Sequence, residues 1–162
     1  MNLAEETLRR IRSIVAGTGD RTERAKELAR AVQGLGNHRW TGVYDVGSEM
    51  VSIIAYCSRA PRTGTSRGSG APAYPTFPIT HGLTGAAIRE RKTVVVGDVR
   101  NDPRYLTAFG NTLSEMVVPI LHPQKGAVIG TIDLRKRACQ CLFDERSEIA
   151  GRMRAHGAAI VG

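Results

Sequence analysis

The chain has 162 residues, 41% hydrophobic and 23% charged, with eighteen glycines and seven prolines; this suits one loop-rich globular domain and argues against a helical bundle. No apolar run approaches the roughly 18 residues that a membrane-crossing helix needs. The net charge of +8 and pI near 10 raise the question of a polyanionic partner, but the basic residues are scattered from Arg9 to Arg152. No aromatic-plus-basic RNA motif or zinc-finger spacing accompanies them, which argues against a specific nucleic-acid site.

Met1-Asn2-Leu3-Ala4-Glu5-Glu6 carries acids where a secretory leader carries a basic and then an apolar stretch, so the expected location is the cytoplasm. Leu3, Leu8, Ile11, Ile14 and Val15 recur at helical spacing until Gly17, which predicts a first amphipathic helix. Asp20 followed by Glu23 reads as a capping box. It opens a second helix with Ala25, Leu28, Ala29, Val32 and Leu35 on one stripe, ended by Gly34 and Gly36. Strand patterns follow at Trp40–Val46 and Met50–Cys57, turning around Gly47-Ser48.

Residues 58–72 read SRAPRTGTSRGSGAP, a flexible loop by composition. Such a loop is either a lid bringing Arg59, Arg62 or Arg67 over a ligand or a simple insertion, and the composition favours the insertion. A short strand at Thr76–Ile79, a helix from about Leu83 to Arg91, a buried strand at Val94–Val96 and a loop over Asp98–Phe109 come next. Glu115–Leu121 and Ala127–Arg135 form a second hairpin through Pro123-Gln124-Lys125-Gly126. Asp144 caps a final helix bearing Ile149, Met153 and Ile160. Sequence-adjacent hairpins between helices predict an α/β (α+β) fold: one antiparallel sheet with helices on its faces.

The second hairpin carries the most informative polar residues. Strand residues alternate faces, so Glu115, Val117 and Pro119 share one side, as do Ile129, Thr131, Asp133 and Arg135. A tight turn near Gln124–Lys125 pairs residues whose numbers sum to roughly 249. That brings Glu115 within about one residue of Asp133. Acids in strands this apolar need a partner or a polar cavity. Either the pair recognises a cationic or hydrogen-donating ligand group, or each acid caps a loop amide or meets an arginine such as Arg104.

Other constellations are weaker. Thr80-His81-Gly82-Leu83-Thr84-Gly85 is a helix start that offers free amides to an anion, though no P-loop lysine follows. Cys57, Cys139 and Cys141 are not spaced for a disulfide framework or a zinc site, and His38, His81, His122 and His156 form no pair; no metal is expected. Cys139 and Cys141 follow Arg135-Lys136-Arg137, where a reactive thiol is conceivable but a structural one is commoner.

With these residues laid out, the chain resembles the GAF family, and within it the single-domain free methionine-R-sulfoxide reductases. The carriers are WTGVYDV (40–46), FPITHGLTGAAIRERKTVVVGDVRNDPRY (77–105), SEMVVPIL (114–121), VIGTIDL (128–134) and FDERSEI (143–149). The resemblance implies one domain over residues 1–162, led by two helices in 1–36. It implies a six-stranded antiparallel sheet, terminal helices on one face that pair into a homodimer, and a ligand pocket on the other face. GAF domains bind cyclic nucleotides, tetrapyrroles, amino-acid-like metabolites or metal centres, so the resemblance leaves the ligand and any cofactor unknown. No cysteine lies beside a histidine in the helix region, which does not support an attached bilin.

The reductases act through a pocket cysteine resolved by others. The matching positions here are Tyr74, Thr84 and Ala108, and neither a hydroxyl nor a methyl replaces a thiolate in attack on sulfur. The reductases' substrate-side acids match Glu115 and Asp133. The expected ligand-binding residues are therefore Glu115, Asp133, Tyr74, Thr84 and Trp40, with Tyr74 and Trp40 equally able to be core aromatics. The expectation is a non-catalytic sensory GAF domain that signals through dimer or partner contacts. A divergent reductase using Cys57, Cys139 or Cys141, and a basic interaction module, are the alternatives.

Overall fold

The computed structural model describes residues 2–36, 38–59, 72–107 and 112–136. The final helix expected from Asp144, Cys139 and Cys141, Ala108 and most of the 58–72 loop lie outside them.

Helix α1 spans Leu3–Ala16 and α2 spans Arg21–Gly34. Leu8, Ile11 and Ile14, three apart along α1, are buried. So is the whole stripe Ala25, Leu28, Ala29, Val32 and Leu35 of α2. The reciprocal capping box forms at α1, where the Asn2 side chain accepts from the Glu5 amide and Glu5 accepts from the Asn2 amide. At α2 only half of the expected box is made. Asp20 accepts from the Thr22 and Glu23 amides, but the Glu23 carboxylate is drawn to Lys26 at 2.6 Å, an opposite charge one helical turn on.

The strands are β1 (Trp40–Val46), β2 (Met50–Ser58), β3 (Thr76–Pro78), β4 (Val94–Val96), β5 (Ser114–Leu121) and β6 (Val128–Lys136). Helix α3 (Gly82–Glu90) lies between β3 and β4, and Val99–Asn101 forms a single 3-10 turn. The strands make one antiparallel sheet in the order β3-β2-β1-β6-β5-β4. Strand alternation gives the sheet two apolar faces. Val43, Met116, Val118, Ile120, Ile132 and Leu134 pack with α1 and α2. On the opposite face, Val94, Val96 and Val117 pack with Leu83, Ala86 and Ala87 of α3, and Trp40, Tyr44 and Val51 form a separate aromatic cluster.

The β5–β6 register differs from the turn count in one instructive way. Beside the turn, Leu121 faces Val128, but a bulge between Ile120 and Leu121 shifts the ladder so that Ile120 faces Gly130. Every later pair is displaced by one residue. Glu115 consequently faces Arg135, and Asp133 faces Val117. Without the bulge, Glu115 would face Leu134 and the acids would point to opposite sides of the sheet. The bulge also turns Ile129 against the helix-side core, away from Thr131, Asp133 and Arg135, with which its parity groups it.

Candidate ligand-binding site

Three rows of side chains cross β1, β6 and β5 on the sheet face opposite α1 and α2. Trp40 faces Arg135, which faces Glu115; Gly42 faces Asp133, which faces Val117; Tyr44 faces Thr131, which faces Pro119. In the first row the Arg135 guanidinium lies 4.9 Å from the centre of the Trp40 ring, and its Nη2 is 3.5 Å from Glu115 Oε1. Both side chains are almost wholly buried, at 8% and 4% exposure. Trp40 can lie flat here because its neighbour across the pleat is glycine. A Cβ on Gly42 would sit 2.1 Å from Trp40 Cη2 and 2.6 Å from Cζ3.

In the second row Asp133 is satisfied on both oxygens. Thr131 donates its hydroxyl to Oδ1 at 2.9 Å, and Thr84 of α3 donates to Oδ2 at 3.1 Å. Glu115 differs. Its Oε2 is buried and accepts no hydrogen bond, a state that costs roughly 1–3 kcal/mol or more for a charged group. Burial, partly offset by Arg135 and reinforced by Asp133, pushes the Glu115 carboxyl up to about 7. Burial likewise raises Asp133 to about 6 against the pull of Arg135 and the two threonine hydroxyls. The Tyr44 phenol moves up as well, through burial and then the nearby Asp133 charge, and stays neutral.

Glu115 and Arg135 line a small cavity together with Tyr44, Tyr74, Phe77, His81 and Thr84, closed by Pro72, Gly82, Leu83 and Leu106. Its free volume is about 20 Å³, room for a single water. Tyr74, 45% exposed, and the half-buried Leu106 form the outer wall, so a larger occupant requires them to swing outward. Two roomier clefts, about 370 and 320 Å³, flank the 99–107 loop. They are open to solvent, and their main charges are already matched: Arg100 with Asp98, and Arg104 with Asp102.

Among the expected residues, Tyr74, Thr84 and Glu115 stand in the cavity wall. Asp133 lies one row further in, reached through Thr84. Trp40 is buried beneath Arg135, stacked on Tyr56 with ring centres 6.1 Å apart; it supports the site from below. Arg104 does not reach the acids, because Asp102 holds it at 2.7 Å. The cation that does, Arg135, reads in the sequence as one more scattered basic residue. The signal that identifies it is its position two residues after Asp133, on the same face of an apolar strand. Tyr44 and Phe77 also line the cavity, and neither stands out in the sequence from an ordinary core aromatic.

Cys57 is half-buried on the helix side of β2, with its Sγ donating to Gln33 Oε1 at 2.9 Å. It is therefore separated from the cavity by the sheet. Among the described residues, no group of three or more histidine, cysteine or acidic side chains is placed to hold a metal ion, and no helix is long and apolar enough to cross a membrane.

Comparison with known proteins places these features in a family. The family model for the GAF domain matches residues 19–161. GAF domain-containing protein A of Dictyostelium discoideum is 25% identical over 144 residues, covering 89% of this chain and 82% of that protein. The free methionine-R-sulfoxide reductase of Neisseria meningitidis, solved in complex with its substrate, is 25% identical with a TM-score of 0.75, over 97% of this chain and 89% of that one. The GAF domain of an Acinetobacter phosphoenolpyruvate-protein phosphotransferase shares the fold at 17% identity, with a TM-score of 0.78 over 99% of this chain and 93% of that domain.

Proposed function

The chain belongs to the GAF domain family, and from that premise we propose that it is a non-catalytic receptor for a small molecule held against Glu115 in the cavity beneath Tyr74. The observation that carries this reading is that Glu115 lines the cavity and keeps one carboxylate oxygen, Oε2, buried without a donor. A ligand N–H or O–H there would supply the missing hydrogen bond, and the apolar wall would exclude competing water. Thr84, Asp133 and Trp40 act behind this contact: the first two fix one another, and the third seats Arg135. Output passes through the helices on the opposite face, as a change in homodimer or partner contacts.

Thermal shift of the full chain against cyclic nucleotides, free amino acids, methionine sulfoxide and haem tests the reading. A ligand that raises the melting temperature of wild type but not of Glu115→Gln supports it. Absence of any response across the panel, with the cavity still closed in a structure solved at high ligand concentration, opposes it.

A second reading is favoured by the 25% identity to the Neisseria reductase: turnover of methionine-R-sulfoxide by a displaced thiol. Among the described residues, no cysteine lines the cavity. The reductase cysteine positions correspond here to Tyr74, Thr84 and Ala108, and Cys57 faces the helices. Thiol-dependent turnover that disappears with Cys57→Ser, Cys139→Ser or Cys141→Ser would establish this second reading and displace the first.

A further inference from the structure

We propose that the ligand is a neutral molecule presenting an N–H donor beside a C=O acceptor, the edge of a primary carboxamide or lactam, read jointly by Glu115 and Arg135; this rests on the cavity being the receptor site. Glu115 Oε2 can only accept while ionised, and a guanidinium can only donate. The two groups stand side by side in one wall, 3.5 Å apart at their nearest approach. A carboxylate next to a guanidinium is complementary to an amide edge: the carboxylate takes the N–H and the guanidinium meets the carbonyl.

Charge selects the same class. A ligand cation seeking Glu115 would approach Arg135 in a setting where water screens little, and a ligand anion seeking Arg135 would meet Glu115 with Asp133 behind it. At the cavity wall Glu115 and Arg135 offset each other's charge, and Asp133 is held one row back by two hydroxyl donors. A neutral ligand keeps that balance and avoids the desolvation cost of a net charge. Tyr44, Tyr74, Phe77 and Leu83 offer apolar surface for a flat body.

Benzamide, benzoate and benzamidine share one ring and differ in the edge they present: donor plus acceptor, acceptor only, donor only. Their binding to the full chain is measured by ligand-observed NMR and thermal shift at pH ~8, about one pH unit above the Glu115 midpoint of about 7. Benzamide is expected to bind at least about tenfold more tightly than either charged analogue, the difference expected from one mismatched buried charge. Glu115→Gln, which removes the charge and adds a donor, is expected to move the preference toward benzoate.

Benzamidine or benzoate binding as well as benzamide, none of the three binding, or an unchanged preference in Glu115→Gln would each overturn the proposal. If the three fail while another compound stabilises the chain through Glu115, the receptor reading survives and only the ligand class is wrong. If nothing binds, both fall.

Discussion

Glu115 and Arg135 form a buried ion pair in which one carboxylate oxygen has a partner and the other has none. Such a pair contributes little net stability, yet losing one member leaves an uncompensated charge that costs about 3–5 kcal/mol. Arg135→Met is therefore expected to lose about that much in urea unfolding at pH 8. The loss should shrink at pH 5, where protons replace the missing cation on the acids. A pH-independent loss would mean that the acids do not depend on Arg135. The wild-type dependence follows from the same raised carboxyls. Because both bind protons more tightly in the folded state, their contribution to stability is fullest below the unfolded values near 4 and is lost as the pH rises through about 6 and about 7. Compared with wild type, the Glu115→Gln/Asp133→Asn double variant should gain stability steadily between pH 4 and 7. The gain is set by the raised proton affinities, each tenfold difference being worth about 1.4 kcal/mol. A constant gap between the two proteins would contradict the raised carboxyls.

At the scale of elements, the site is made by the β5–β6 bulge and the Trp40–Gly42 contact. The bulge sets the parity that turns Glu115, Asp133 and Arg135 to one face, and Gly42 lets Trp40 lie flat beneath Arg135. Gly42→Ala places a methyl inside the indole, so the ring must move. The expected cost is about 1–3 kcal/mol, with a red-shifted emission from the only tryptophan in the chain. Unchanged emission would mean that Trp40 is not seated as described. These two features also separate what the sequence makes legible from what it does not. The alternation Met116-Val117-Val118 and Ile132-Asp133-Leu134 reveals both strands and flags both acids, because burial on two faces leaves a strand few polar positions. It does not reveal the bulge, since a single unpaired residue near a turn has no signature in periodicity. Hence a turn count alone puts Glu115 one residue out of register. Arg135 reads as surface charge because an arginine near the end of a strand is ordinarily solvated. Whether Trp40 lines the cavity or supports it depends on a cross-strand neighbour and not on local pattern.

Across the whole molecule, one set of strands serves two surfaces. β5 and β6 hold Glu115, Asp133 and Arg135 toward the cavity, and Met116, Val118, Ile132 and Leu134 toward α1 and α2. A ligand that repositions Glu115 therefore pushes on side chains packed against the helices, in a core too dense to absorb the movement silently. The positive charge of the chain is a weaker guide to function. Arg21, Arg100, Arg104 and Arg135 are each paired with an acid, yet the chain keeps its net charge of +8; a small ligand in the closed cavity should bind with little dependence on salt, whereas a polyanion partner would be lost steeply between low and moderate salt. The receptor reading requires Glu115 to be a buried acid in need of a donor. It is tested most directly by carbon-detected NMR titration of that carboxyl in the ligand-free protein. A midpoint near 7 that moves downward when a donor ligand binds is expected; a midpoint near 4.5, as for a glutamate in water, would contradict that reading.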